Sequence, residues 1–338
     1  MRLEVLADDM RHYTIFGLHL VSDYPFANHL AELPPGAEKR SEDLIFQCCS
    51  TAPVSVDWQS ASPLYTSARS TVGGVPFVML YRGDGFDLLR YGIGVDFYLW
   101  PGRIFCHLHQ EEHAYFVEIA LLGSVLAYYL EWRGIRTLHA SAVSGENGAV
   151  AFLASNRGGK SSLAAGLMQL GHPLLTDDVL ALEQQGGMFL GRPGYPSMRF
   201  WPEEMERFAG QQDAGEIVHP EIEKRRVGLE AGGLGDFCTA PQPVRALYIP
   251  ERCELGSDCT TTRILPLPPG EAVVHLLRNS FVGRLVNGAG MAAQRLDFLV
   301  QLTKCVPVLR LVYPSGFENL PAVCQFVQAD WLSRSTQT

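Results

Sequence analysis

The sequence predicts an α/β protein with a β-rich N-terminal domain, a long connecting helix and a C-terminal domain in which strands and helices alternate. Before residue 112, short apolar segments are separated by Gly, Pro, Ser and Asp, as strands joined by turns are. Residues 112–132 are apolar on most faces, which is typical of a buried helix. Beyond it, strand and helix patterns follow one another, as in α/β folds. The domains are therefore predicted at residues 1–134 and 135–338.

The composition is that of a globular protein with a large core. The 338 residues are 47% hydrophobic and 19% charged, which is ample for two domains. A net charge of −9 disfavours nucleic acid or an anionic membrane as the partner. The N-terminus has no signal-peptide pattern, and the longest apolar run, residues 119–130, is too short to span a bilayer. None of the eight cysteines forms a C-x-x-C pair, so reduced thiols and a cytoplasmic location are predicted.

The N-terminal half contains several strand candidates and one histidine cluster. Strands are predicted within residues 12–21 and over residues 44–49, 54–58, 75–81, 86–91 and 95–99. In the segment HLHQEEH, which ends at His113, His107 and His109 would share one face of a strand. A metal site at these two histidines is one interpretation, and a solvated strand end is the more common one.

The most informative stretch of the chain is residues 149–182. An apolar strand, residues 149–154, leads into a turn that consists of Ser155, Asn156, Arg157, Gly158 and Gly159. Lys160 and Ser161 then begin a helix, and Gly171 ends it as a C-terminal glycine does. A second apolar strand leads to the acidic pair Asp177-Asp178.

This order of elements suits the binding of nucleotide phosphates. Successive backbone N–H groups of a glycine-rich turn wrap a phosphate, and the helix N-terminus adds the positive end of its dipole. Lys160 would reach the β- and γ-phosphates, and the Ser161 hydroxyl would be a ligand of Mg²⁺. Ala154 replaces the first glycine of the pattern G-x-x-x-x-G-K-[ST], so the match is incomplete. The predicted binding residues run from Ser155 to Ser162.

Further polar residues flank this stretch. Residues 136–148 predict a hairpin that places His139 beside the strand leading to the loop, either as a site residue or as a packed, hydrogen-bonded histidine. Arg199 follows two prolines, and it is either a substrate contact or a structural arginine. Residues 210–235 are polar and glycine-rich, and they contain Lys224, Arg225 and Arg226. They predict a mobile loop whose arginines contact phosphate or an acidic substrate, or else a solvated charge run.

Residues 138–182 resemble the HPr kinase/phosphorylase family. The resemblance is carried by the histidine strand, the hairpin, the loop up to Ser161, Gly171 and the strand that ends in two aspartates. Ala154 and Arg157 stand where the family usually has glycine. The segments TIFGLHLVSDYPF, LHASAV and PSMRFWPE look like the stand-alone kinases of this family that are found with lasso peptide biosynthesis. With these segments the resemblance covers nearly the whole chain, although only the core motif is specific.

The resemblance implies an ATP- and Mg²⁺-dependent kinase that phosphorylates the C-terminal serine of a precursor peptide. Asp177 would accept the hydroxyl proton, and Asp178 and Ser161 would hold Mg²⁺. Lys160 would bind the β- and γ-phosphates, and His139 would contact the transferred phosphate or orient Asp177. The residues themselves leave open which aspartate is the base. The N-terminal domain would recognise the peptide or build a homo-oligomer.

Other functional classes fit parts of the sequence. Ala154 and Arg157 indicate a nucleotide-binding regulator, which would bind ATP without forming a phosphopeptide. An NTP hydrolase would position its water with a glutamine motif, and no obvious one is present. A peptide-binding scaffold would not bind Mg-ATP at all. Among kinases, an HPr-type protein remains an alternative acceptor.

Overall fold

The computed structural model describes residues 10–26, 30, 33, 43–55, 60–210, 216–219, 222–253 and 261–335. The chain divides into two compact units, here called the N-terminal and C-terminal units. The N-terminal unit comprises Met1–Tyr129 and Arg284–Met291, and the C-terminal unit comprises Leu130–Gly283 and Ala292–Thr338. The division after Tyr129 and the return of residues 284–291 to the first unit differ from the single boundary predicted after residue 134.

The N-terminal unit contains a mixed sheet of eight strands. Their bounds are β1 Arg11–Ile15, β2 Leu18–Ser22, β3 Asp43–Cys49, β4 Tyr65–Thr66, β5 Val78–Arg82, β6 Asp87–Tyr91, β7 Val95–Trp100 and β8 Arg103–Leu108. The strand order is β1-β2-β3-β8-β7-β6-β5-β4. β3 pairs in parallel with β2 and β8, and the other pairs are antiparallel. This confirms the predicted β-rich half, although residues 56–58 of one predicted strand lie outside the described residues.

The predicted long helix is confirmed. It begins with a 3₁₀ turn, Glu111–His113, and continues through α1 (Tyr115–Ala120), a π-helical segment (Leu121–Val125) and α2 (Leu126–Trp132). By length and composition alone, this 22-residue helix could cross a membrane. The apolar run of residues 119–130, considered by itself in the sequence, was too short to do so. However, 67% of the most apolar window of the helix is buried, as in the core helix of many soluble proteins.

The C-terminal unit is built on a second sheet. Its strands are β9 Arg136–Gly145, β10 Gly148–Leu153, β11 Leu174–Thr176, β12 Val179–Gln185, β13 Met188–Arg192, β17 Gln242–Arg252, β18 Arg263–Pro266 and β19 Val308–Tyr313. β10, β9, β12, β13 and β17 pair in a closed cycle, because β17 bonds both β13 and β10. β19 pairs in parallel with β17, and β18 follows it at the edge. The mixed α/β class predicted for this half is confirmed.

Helices cover both faces of this sheet. They are α3 Lys160–Met168, α4 Pro202–Ala209, α5 Leu229–Gly232, α6 Pro269–Arg278, α8 Ala292–Cys305 and α9 Leu320–Ser335; α7, Gly283–Gly288, belongs mostly to the other unit. One core cluster joins α3 and α9 to Phe152, and another joins α6 and α8 to Leu153. Because β10 is buried on both faces, its sequence is a continuous apolar run rather than an alternating one.

Two expectations were wrong. The predicted mobile loop at residues 210–235 contains β15 (Glu216–His219) and β16 (Ile222–Gly228), which pair with β14 (Ser197–Phe200) in a three-stranded sheet. Its polar composition hides the strand, but Val227 of β16 is buried in the core.

Among the described cysteines, six are free, but Cys253 is disulfide-bonded rather than reduced.

Candidate active site

The turn between β10 and α3 has the tight backbone that a phosphate loop requires. Gly159 has a φ of 84° and Arg157 a φ of 61°, both in the left-handed region. A Cβ added to Gly158 would lie 2.4 Å from the Cβ of Ala154, and one added to Gly159 would lie 2.7 Å from the Tyr313 hydroxyl. Both glycines are therefore sterically required. The loop tolerates alanine at position 154 because Gly158 leaves room for its methyl group.

Lys160 lies at the base of this loop. Its ammonium group donates hydrogen bonds to the carbonyl oxygens of Ala154 (2.9 Å) and Ser155 (3.3 Å). The side chain is buried, and burial lowers the pKa of Lys160 although Asp178 and Asp177 partly offset this. The lysine is thus fixed between the loop backbone and the acidic pair, where an anionic ligand would meet its charge.

Asp177 is held by three hydrogen bonds. Its Oδ1 accepts from the hydroxyls of Ser141 (2.5 Å) and Ser161 (3.0 Å), and its Oδ2 accepts from the backbone N–H of Arg199 (2.9 Å). The residue is 3% exposed. Of the two aspartates, Asp177 is therefore the one that contacts the loop serine.

Asp178 has a different environment. Its backbone lies in the left-handed region, with a φ of 67°, which is a strained conformation typical of functional sites. Its Oδ2 accepts a hydrogen bond from Arg199 Nη1 at 2.9 Å. Burial by itself would raise the pKa of Asp178, but Lys224, Arg199, His139 and Lys160 together hold it well below its usual range. Asp178 is therefore a carboxylate at any physiological pH.

His139 lies beside Asp178 because β9 pairs with β12, which places Val179 opposite it; the predicted hairpin had placed it only beside the strand leading to the loop. Its backbone N–H donates to the carbonyl oxygen of Asn279 at 2.6 Å, and its Nδ1 lies 3.0 Å from the carbonyl oxygen of Asp178. Because a carbonyl oxygen only accepts, Nδ1 carries the proton of the neutral ring and Nε2 is left as an acceptor. Burial lowers the pKa of His139, which favours this neutral form. A neutral Nε2 suits a hydroxyl or amide donor better than the phosphate oxygen predicted from sequence.

The structure brings only some of the predicted basic residues to the acidic pair. Arg199 contacts both aspartates, and Arg226 lies opposite it in the β14–β16 ladder, with its guanidinium 5.9 Å from the Tyr195 ring. Lys224 lies two residues before Arg226 on the same face and acts on Asp178. Strand alternation places Arg225 on the opposite face of β16, and its role as a substrate contact stays a prediction.

Sequence reasoning missed three residues of this region, Ser141, Glu204 and Trp201, and it named Lys224 only as part of a basic cluster. Ser141 follows His139 by two positions on the same strand face, and Lys224 has the same relation to Arg226, so strand alternation was an available signal for both. Glu204 accepts hydrogen bonds from the Ser162 hydroxyl and from the backbone N–H of Trp201. The bond to Trp201 is a local capping contact at the start of α4, whereas the contact with Ser162 depends on how α4 packs and had no local signal.

Two cavities adjoin the loop. The first has a volume of about 320 Å³ and is lined by residues 156–162 of the loop and α3, by Trp201, Lys224 and Arg252, and by Phe317 on its far side. The Arg157 guanidinium lies 4.3 Å from the centre of the Trp201 ring at this cavity. The second has a volume of about 510 Å³ and is lined by residues 153–155 and 158 of the loop strand and turn, and by His139, Arg278 and Phe281. Residues 156–162 therefore line the first cavity, residues 153–155 line the second, and Gly158 lines both.

Comparisons with known proteins leave the family open. No family description matches the chain, and no curated protein sequence matches it. Among solved structures, it is similar to the Hpr(Ser) kinase/phosphatase from Coxiella burnetii, with 18% sequence identity over 59% of this chain and 97% of that chain. The TM-score of this similarity is 0.30.

Proposed function

We propose that this protein is an ATP-dependent phosphotransferase that phosphorylates a serine hydroxyl of a peptide. The proposal is carried by the acidic pair, whose two carboxylates have separate partners. Asp177 is bonded to Ser161 at the start of the loop helix, whereas Asp178 lies with Arg199 and His139. Nucleotide binding requires only the first carboxylate. The second supplies a proton acceptor for a substrate hydroxyl. The serine and the peptide come from the family resemblance.

The residues present fit a magnesium ion. Mg²⁺ prefers oxygen ligands from one or two carboxylates together with substrate phosphates, and the hydroxyl of Ser161 and the carboxylate of Asp177 are 3.0 Å apart. When bound, Mg²⁺ would neutralise charge on the nucleotide phosphates. This assignment replaces the predicted pair of Ser161 and Asp178.

Asp178 takes the role of proton acceptor. Arg199 holds one of its oxygens, and no hydrogen bond to the other is found among the described residues. Its lowered pKa makes it a weak base, but phosphoryl transfer asks mainly for an oriented and ionised acceptor. Lys160, Arg199 and Lys224 would stabilise the charge that develops on the transferred phosphoryl group.

The two cavities provide separate places for the two substrates. We place the nucleotide in the first, which contains the start of α3, Lys224 and the aromatic rings of Trp201 and Phe317. The acceptor takes the second, where neutral His139 can accept a hydrogen bond and Phe281 provides an apolar wall. Their shared wall is the loop at residue 158, so the transferred group would pass beside it.

The test is to incubate the protein with Mg-ATP and a synthetic peptide ending in serine, and then to measure the peptide by mass spectrometry. We expect a gain of one phosphate mass that is lost in Asp178→Asn. Binding of Mg-ATP, measured by calorimetry, should be retained in that variant. Release of ADP without phosphopeptide would indicate a hydrolase, and ATP binding with no turnover would indicate a regulator. The same experiment is then repeated with an HPr-type protein as the acceptor. If neither acceptor gains phosphate, the proposal is refuted.

A further inference from the structure

A second group of chemically active side chains lies in the N-terminal unit, in the histidine segment at the end of β8. The antiparallel register of β7 and β8 places Asp96 directly opposite His107. His109 follows His107 by two residues and therefore lies on the same face. One ligand atom from each of these three residues lies within 4.8 Å of the other two.

The spacing of these atoms matches that of a metal site. The Nε2 of His109 and the Oδ2 of Asp96 are 3.1 Å apart, and the two imidazole centroids are 4.7 Å apart. Tetrahedral zinc with bonds of about 2.0–2.1 Å places its ligand atoms roughly 3.3 Å from one another. Small side-chain rotations would bring the three residues to this geometry.

The surroundings orient the carboxylate. Arg90 donates from Nε to Oδ1 (3.0 Å) and from Nη2 to Oδ2 (2.8 Å) of Asp96, which is 1% exposed. Such an outer partner fixes the direction of a metal ligand. Because Arg90 also neutralises part of the charge of Asp96, the affinity should be moderate rather than extreme.

One ring nitrogen of the cluster is left for a metal ion, whereas His109 already contacts Asp96 through its Nε2. The Nδ1 of His107 is buried and has no hydrogen-bond partner among the described residues. His109 is 42% exposed and leaves the cluster open to solvent on one side.

We propose that Asp96, His107 and His109 bind one divalent transition metal ion of the zinc type, with a coordination position left for water or a ligand. Two imidazoles and one carboxylate favour such an ion over Mg²⁺ or Ca²⁺, which prefer oxygen ligands only. The other members of the histidine segment do not take part. The Nε2 of His113 lies 3.7 Å from the Oε1 of Glu112 instead.

The full chain, stripped with a chelator, should be titrated with Zn²⁺ by calorimetry and with Co²⁺ by visible absorption. We expect one equivalent of Zn²⁺ with a micromolar Kd, and tetrahedral Co²⁺ bands. His107→Ala and His109→Ala should each weaken binding at least about tenfold. His113→Ala is the matched control and should bind like the wild type. His109 is half-exposed, so its variant should fold, and far-UV circular dichroism would check this.

Two results would overturn the proposal. One is wild-type protein that binds no Zn²⁺ equivalent. The other is unchanged Zn²⁺ affinity in the folded double variant of His107 and His109, which would assign the ion to another place such as Asp177. A supporting readout is thermal unfolding, because an ion that binds only the folded state raises Tm. At the same Zn²⁺ concentration, the Tm of wild type and His113→Ala should rise more than that of His109→Ala.

Discussion

Replacing each aspartate of the acidic pair by asparagine separates a metal ligand from a proton acceptor. In Asp177→Asn, the amide oxygen can keep the hydroxyls of Ser141 and Ser161, but the amide N–H₂ then faces the backbone N–H of Arg199. One hydrogen bond to a charged acceptor is lost, which costs about 1.5–3 kcal/mol of stability. The metal also loses a charged ligand. In Asp178→Asn, the oxygen facing Arg199 can be retained, but the proton acceptor is gone.

The assay compares the Kd of ATP with Mg²⁺ and with EDTA, so it needs no acceptor. We expect Mg²⁺ to strengthen ATP binding in the wild type and in Asp178→Asn. In Asp177→Asn this strengthening should fall about tenfold, which corresponds to about 1.4 kcal/mol. Phosphoryl transfer by Asp178→Asn should fall by roughly 10²–10⁴. If Asp178→Asn loses the Mg²⁺ effect while Asp177→Asn keeps it, the two roles are the reverse of those proposed.

Three further predictions concern the loop, the core and pH. Gly159→Ala should lower the free energy of unfolding by about 1–2 kcal/mol, because the φ of 84° is unfavourable for alanine and the added Cβ would meet Tyr313. Urea unfolding measures this loss, and unchanged stability would contradict the loop geometry. Glu131→Gln removes the buried carboxylate that contacts Arg295, Arg136 and Thr137. We expect a loss of about 3–5 kcal/mol of stability and a Tm lower by roughly 6–20 °C in a thermal scan. A smaller shift would show that these contacts of Glu131 contribute little. His139 has a lowered pKa when folded, so the unfolded chain binds more protons below about pH 6.5. The contribution of His139 to the free energy of unfolding is therefore complete above that pH and is lost as the pH falls. His139→Asn should reduce this dependence of the free energy of unfolding on pH. If the variant shows the same dependence, His139 does not cause it.

The local part of the candidate site could be predicted from sequence. The order of strand, glycine turn, lysine and serine defines the loop, because its contacts join residues that are neighbours along the chain. Gly158 and Gly159 are where the turn needs them, and Lys160 bonds the loop carbonyls six and five residues before it. Lys224 was not selected, because the polar composition of residues 210–235 concealed the strand alternation that directs it toward Asp178.

By itself, the sequence determined the α/β class, the strands and helices with strong periodicity, and the phosphate-loop order, because each depends on backbone preferences and apolar spacing over a few residues. The tertiary structure decided which carboxylate meets which partner. The Ser141–Asp177 and Arg199–Asp178 contacts join residues 36 and 21 positions apart, and the left-handed backbone of Asp178 turns adjacent side chains toward different partners. The same holds for Asp96 and the two histidines, which become neighbours only through the register of β7 and β8. Such contacts depend on strand pairing across the fold, and no local pattern encodes that pairing.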